Sequence, residues 1–92
     1  MAISLQVFYE GSVQGVGFRY SVKQIAKGFD VTGSVRNLRD GRVELIAQGI
    51  EDEVRAFLTA IAESELRAHI KKQTELPAEN VPSTRGFELR HD

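Results

Sequence analysis

The 92 residues include no cysteine, which excludes disulfides, thiolate metal ligands and a cysteine nucleophile together. That absence fits a reducing compartment. An excess of charge is lacking as well: 12 Lys and Arg against 13 Asp and Glu leave a net charge of −1. Such a chain has no long-range attraction for nucleic acid or an anionic membrane, so any anion site must be local. No apolar run approaches the ~20 residues of a membrane span. The start, Met1 to Gln6, lacks the cationic segment and long apolar run of a leader peptide. Internal repeats, low-complexity tracts and linkers are missing too. With 41% hydrophobic and 27% charged residues, the expectation is one globular domain over residues 1–92, cytoplasmic, with a single modest core.

What is present is a strong order of periodicities. Ile3, Leu5, Val7 and Tyr9 alternate with Ser4, Gln6, Phe8 and Glu10, which predicts a strand with one buried face. Phe18, Val22, Ile25, Ala26 and Phe29 then fall at helical spacing, opposite Lys23, Gln24 and Lys27, with Gly28 as the expected C-cap. Val31–Asn37 reads as a second strand, Asp40-Gly41 as a hairpin turn, and Arg42–Gln48 as a third strand that Gly49 breaks. A second helix opens on Glu51, Asp52 and Glu53, acids where the helix dipole favours them. Its stripe is Val54, Phe57, Leu58, Ile61, Ala62 and Leu66, and its end is expected near Arg67.

A fourth strand is expected from about His69 to Leu76, an irregular loop at Pro77 and Pro82, and a short last strand at Phe87–Arg90. The order is βαββαβ plus a terminal strand. Helices after the first and third strands belong on one face of an antiparallel sheet, giving an α+β, ferredoxin-like sandwich. Its other face, with Ser4, Gln6, Arg42, Glu44 and Gln48, should be largely wet.

Between the first strand and the first helix lies Gly11-Ser12-Val13-Gln14-Gly15-Val16-Gly17-Phe18-Arg19. A glycine-rich loop entering a helix N-terminus leaves backbone N–H groups unpaired and aligned, and the dipole favours an anion there. Arg19 adds a permanent cation whose fork of donors matches a phosphate or carboxylate. Arginines usually lie on solvated helix faces; the preceding glycines argue for a different use here. Tyr20 stands where a dinucleotide fingerprint would continue, and the lysine of a nucleotide P-loop is missing. A small phosphoryl group held by backbone amides is the better reading.

Asn37 is the second candidate. On the residues alone, turn chemistry beside Asp40-Gly41 explains it as well as function does. Strict alternation nevertheless puts it on the face of Val31 and Val35, toward the helices. There a carboxamide can donate to a phosphoryl oxygen and accept from a water. His69 and His91 have no metal-ligand partner at useful spacing, and His91 is nearly terminal. Both read as surface or strand-end histidines.

GSVQGVGFR, followed after one helix by GSVRNLRDGRVEL, resembles the glycine-loop signature and asparagine hairpin of the acylphosphatase family. The similarity runs from about Leu5 to Gly49, in order and spacing, and weakens most over Glu63–Arg85. Ser34 stands where many members carry an aromatic residue, a packing difference. The resemblance implies the same ferredoxin-like fold and the hydrolysis of acyl phosphates to carboxylate and inorganic phosphate. It also implies phosphate binding by Arg19, positioning of the attacking water by Asn37, and a cradle of loop amides over Gly11, Ser12, Val13, Gln14, Gly15, Val16, Gly17 and Phe18. No metal or other cofactor, nucleic acid or membrane partner is implied, and a monomer is expected.

Two other readings stand beside it. One is a non-catalytic module that binds phosphate or another anion, since domains of this kind occur within carbamoyl-transferring maturation proteins. The shortness of the chain favours a free-standing enzyme. The other is RNA binding, which shares the topology. Its aromatic platform belongs on the third strand, where Val43-Glu44-Leu45-Ile46 stands instead.

Overall fold

The computed structural model describes residues 1–78 and 86–91. Alternating side chains build the first strand, β1 (Ala2–Gly11), and the glycine loop leads into α1 (Phe18–Ala26). The hairpin of β2 (Val31–Asn37) and β3 (Val43–Ile50) follows. Then come α2 (Glu51–Glu63), a 3₁₀ turn (Glu65–His69), β4 (Ile70–Pro77) and β5 (Phe87–Leu89). The five strands form one sheet in the order β4-β1-β3-β2-β5. The first four pair antiparallel, as expected, whereas β5 lies parallel to β2.

Period-two alternation decides which residues reach the core. Leu5, Val7 and Tyr9 of β1, Val31 and Val35 of β2, and Val43, Leu45 and Ala47 of β3 are buried against the helices. The helices answer with Phe18, Val22 and Ala26 from α1 and Val54, Phe57, Leu58 and Ile61 from α2. Phe57 anchors this layer between Phe29 and Phe87, with ring centroids 6.0 and 5.6 Å away. This is the α+β sandwich that the element order implies.

Several expectations need correction. The helix α1 stops at Ala26, so Phe29 packs from the following turn, and Lys27 rather than Gly28 is the C-cap. Gly28 is not in the left-handed region. The third strand continues through Gly49, where the backbone has φ +156° and a Cβ would stand 2.8 Å from the Asp30 carbonyl oxygen. Close approach, rather than strand termination, explains that glycine. The helix α2 ends at Glu63, not near Arg67, because Ser64 takes over. Its Oγ donates to the Ile61 carbonyl at 2.7 Å and accepts from the Leu66 N–H at 3.1 Å, starting a separate turn that buries Leu66. Ala62 is exposed. Pro77 closes β4 rather than opening a loop, and Pro82 lies outside the described residues.

The face away from the helices is half-buried rather than open to water. Glu44 accepts from Gln6 Nε2 at 2.8 Å and pairs with Arg36 Nε at 2.7 Å. Arg42 precedes β3, hydrogen-bonds Asp40, and sets its guanidinium 4.4 Å above the Phe8 ring. The Arg42 backbone N–H, chiefly, holds the Asp40 carboxyl below its usual range. Ser34 is buried in this face.

Candidate active site

Register places the site. Tyr9 of β1 stands opposite Val43 of β3, which stands opposite Asn37 of β2. The three form one row across the sheet, at the end where the glycine loop leaves β1. The Tyr9 ring packs 5.2 Å from that of Phe18, the first residue of α1. The row therefore carries Asn37 to the N-terminus of α1, although Asn37 lies 18 positions from Arg19 in sequence. Val13, itself fully buried, pins the middle of the loop to the core.

The loop's shape follows from its glycines. Gly15 and Gly17 have φ of +79° and +76°, and a Cβ at either would meet nothing within 4 Å. Conformation, not room, demands glycine there. Gly17 is the N-cap of α1 and, having no side chain, satisfies none of the first-turn N–H groups. The first backbone bond of the helix comes from Ser21 N–H to the Gly17 carbonyl at 3.0 Å. The N–H groups of Phe18, Arg19 and Tyr20 thus precede the helical ladder, and no acidic side chain occupies the first turn. The result is a positive helix end open to an anion.

A cavity of about 190 Å³ opens at this point. Val13, Gly15, Gly17, Phe18, Arg19 and Asn37 line it, and these are six of the ten residues singled out from the sequence. The remaining four lie off its lining. Gly11 ends β1 opposite Ile70, Ser12 and Val16 are exposed to solvent, and the Gln14 side chain turns toward the β2–β3 hairpin.

Three lining residues escaped the sequence reading: Tyr20, Leu89 and His91. By sequence His91 is only a nearly terminal histidine. The parallel pairing of β5 with β2 brings it here, continued by Arg90 N–H donating to the Val35 carbonyl at 2.9 Å. A three-residue strand offers too little periodicity to announce its partner.

Two polar groups define the chemistry of the cavity. Arg19 Nη1 donates to the Arg90 carbonyl at 2.6 Å, which braces the guanidinium while leaving its other N–H groups for an anion. Asn37 Oδ1 is buried and has no hydrogen-bond partner among the described residues. A buried, unpaired carbonyl oxygen is costly, about 1–3 kcal/mol, and it is an acceptor suited to a water. The Tyr9 hydroxyl is likewise buried without a partner among the described residues. Burial, with the Glu75 carboxylate nearby, raises its pKa above the usual phenol value, so it stays protonated. Among the described residues no group of three or more His, Cys, Asp or Glu could hold a metal.

Comparison with known proteins bears on the family and the fold. The profile of the Acylphosphatase family matches residues 5–89. An acylphosphatase of Bacillus licheniformis is 37% identical over 86 residues, covering 94% of this chain and 92% of that one. The crystal structure of acylphosphatase from Bacillus subtilis superposes with a TM-score of 0.84 at 29% identity, over 98% of this chain and 99% of that one. HypF of T. kodakarensis matches with a TM-score of 0.79 and 27% identity, over all of this chain but only 12% of its own.

Proposed function

Because this chain belongs to the acylphosphatase family, we propose that it hydrolyses acyl phosphates, releasing a carboxylate and inorganic phosphate. It acts as a single cytoplasmic domain and a monomer, without nucleic-acid or membrane partners. The observation that carries the reading is one cavity lined by the glycine loop, Arg19 and Asn37, with the Asn37 carbonyl oxygen buried and unpaired.

The chemistry follows from those groups. The phosphoryl oxygens lie on the loop and first-turn N–H groups, with the Arg19 fork closing over them. Asn37 Oδ1 accepts from a water and holds it against phosphorus. The water oxygen forms the new P–O bond while the bond from phosphorus to the acyl oxygen breaks, and the carboxylate leaves with the electron pair. A carboxylic acid has a pKa of about 4, so this leaving group needs no proton from a general acid. Asn37 is too weakly basic to take the water's proton, which passes to a phosphoryl oxygen. Charge spreads over the phosphoryl oxygens in the transition state, and fixed N–H groups and Arg19 are placed to meet it.

Purified protein should therefore release phosphate from benzoyl or acetyl phosphate at a rate unchanged by EDTA. It should leave a simple alkyl phosphate, whose alkoxide is a poor leaving group, untouched. Phosphate binding without turnover of either acyl phosphate would instead mean a non-catalytic anion-binding module.

A further inference from the structure

Gln14 lies at the centre of the glycine loop, yet its side chain does not face the cavity. Its Nε2 donates to the Leu38 carbonyl at 2.7 Å and to the Arg42 carbonyl at 3.0 Å. A carboxamide nitrogen carries two hydrogens, so both are used. The two carbonyls belong to the mouth of the hairpin that follows Asn37. There Leu38 N–H also donates to the Arg42 carbonyl at 2.8 Å, and Gly41 N–H donates to that of Leu38 at 3.2 Å. One exposed side chain thus fastens the middle of the cradle to the residue next to Asn37, across 24 positions of sequence.

Solvent-exposed hydrogen bonds add little to stability, because water replaces them when they break. Reaction geometry is far less forgiving: a misplacement of about 1 Å can cost on the order of 100-fold in rate. The cradle and the Asn37 carboxamide come from different elements, and the water must approach phosphorus in line with the departing oxygen. We infer that Gln14 is a positioning residue that sets the spacing between the phosphate cradle and Asn37, and so governs turnover rather than phosphate binding. The inference rests on the acyl-phosphate reading above.

Gln14→Met keeps the length of the stem and removes both donors; Gln14→Ala removes the side chain. Each should lower kcat for benzoyl phosphate about tenfold or more. Competitive inhibition by inorganic phosphate should change less than about twofold, because the loop amides and Arg19 remain. Combined with Asn37→Ala, either change should cost less than about twofold further, since the group being positioned is gone. Wild-type kcat in both single variants would overturn the inference. So would a loss that adds in full on the Asn37→Ala background, or one matched by weaker phosphate inhibition. Failure of the parent reading has a different signature, because wild-type protein would then not turn over benzoyl phosphate at all.

Discussion

Arg19→Ala should lower kcat/KM for benzoyl phosphate by about 1,000-fold or more, roughly 4 kcal/mol of transition-state stabilisation. The reasons lie in placement. Arg19 occupies the first turn of α1, where the unpaired N–H groups and the helix dipole already favour negative charge. Its Nη1 is held by the Arg90 carbonyl at 2.6 Å, so the guanidinium enters the reaction already oriented and loses little side-chain entropy on binding. In the proposed mechanism Arg19 is the cation over the phosphoryl group, where negative charge is redistributed during P–O cleavage. Truncation removes that cation and a forked donor set that backbone amides cannot replace.

Arg19→Lys should recover only part of the loss, because an ammonium keeps the charge but not the planar fork. Neither change should unfold the protein, since Arg19 is only half-buried and its neighbours Phe18 and Val22 carry the packing. Phosphate inhibition, measured beside activity, should weaken with both variants. Wild-type turnover in Arg19→Ala would remove the residue from the mechanism.

Asn37→Ala should lower kcat by about 100- to 1,000-fold with a much smaller effect on phosphate inhibition. In the proposed mechanism the distinction from Arg19 is between holding the water and holding the phosphate. Asn37 Oδ1 has no partner among the described residues and lies buried at the end of β2, level with Tyr9 and beside the start of α1. A water accepted there loses rotational freedom before the reaction begins, which is where much of the rate advantage of an oriented reactant resides. Without the carboxamide the phosphoryl group still binds, but it meets an unoriented nucleophile.

Asn37→Asp tests the same idea from the other side. It keeps the shape and an acceptor oxygen while adding a negative charge near the phosphoryl oxygens, so both kcat and phosphate affinity should fall. Truncating Asn37 also removes a buried unpaired oxygen, so Asn37→Ala should be at least as stable to heat or urea as the wild type. Lower stability in that variant would mean that the carboxamide is held for structural reasons.

Much of this arrangement is readable from residue types and spacing because the decisive features are local. Alternation in β1 and β3 sorts buried from half-buried side chains without any tertiary information. In β2 the same alternation puts Asn37 on the helix side, as its row with Val43 and Tyr9 shows. The glycines of the loop point to an unusual backbone, and their positive φ values agree.

What could not be read depends on contacts between distant segments. Nothing in Phe87-Glu88-Leu89 announces a parallel partner, so Leu89 and His91 were not placed in the cavity, nor the Arg90 carbonyl against Arg19. The Gln14 side chain is polar and sits among glycines, and only the folded hairpin reveals the two carbonyls it bridges. Ser64 did carry a signal, a capping residue before Leu66, but the helical stripe running past it concealed the break. Gly49 gave the opposite error. Glycine within an alternating segment suggested a strand end, whereas the backbone of Asp30 needs the space.

Hydrolysis of benzoyl phosphate in water enriched in oxygen-18 asks directly which atom the water attacks. With the phosphoryl group in the Arg19 cradle and the nucleophile on Asn37, the label should appear in inorganic phosphate, one atom per turnover, and benzoate should remain unlabelled. Label in benzoate, with none in phosphate, would mean attack at the carbonyl carbon. That result would contradict the placement of phosphorus between Arg19 and Asn37.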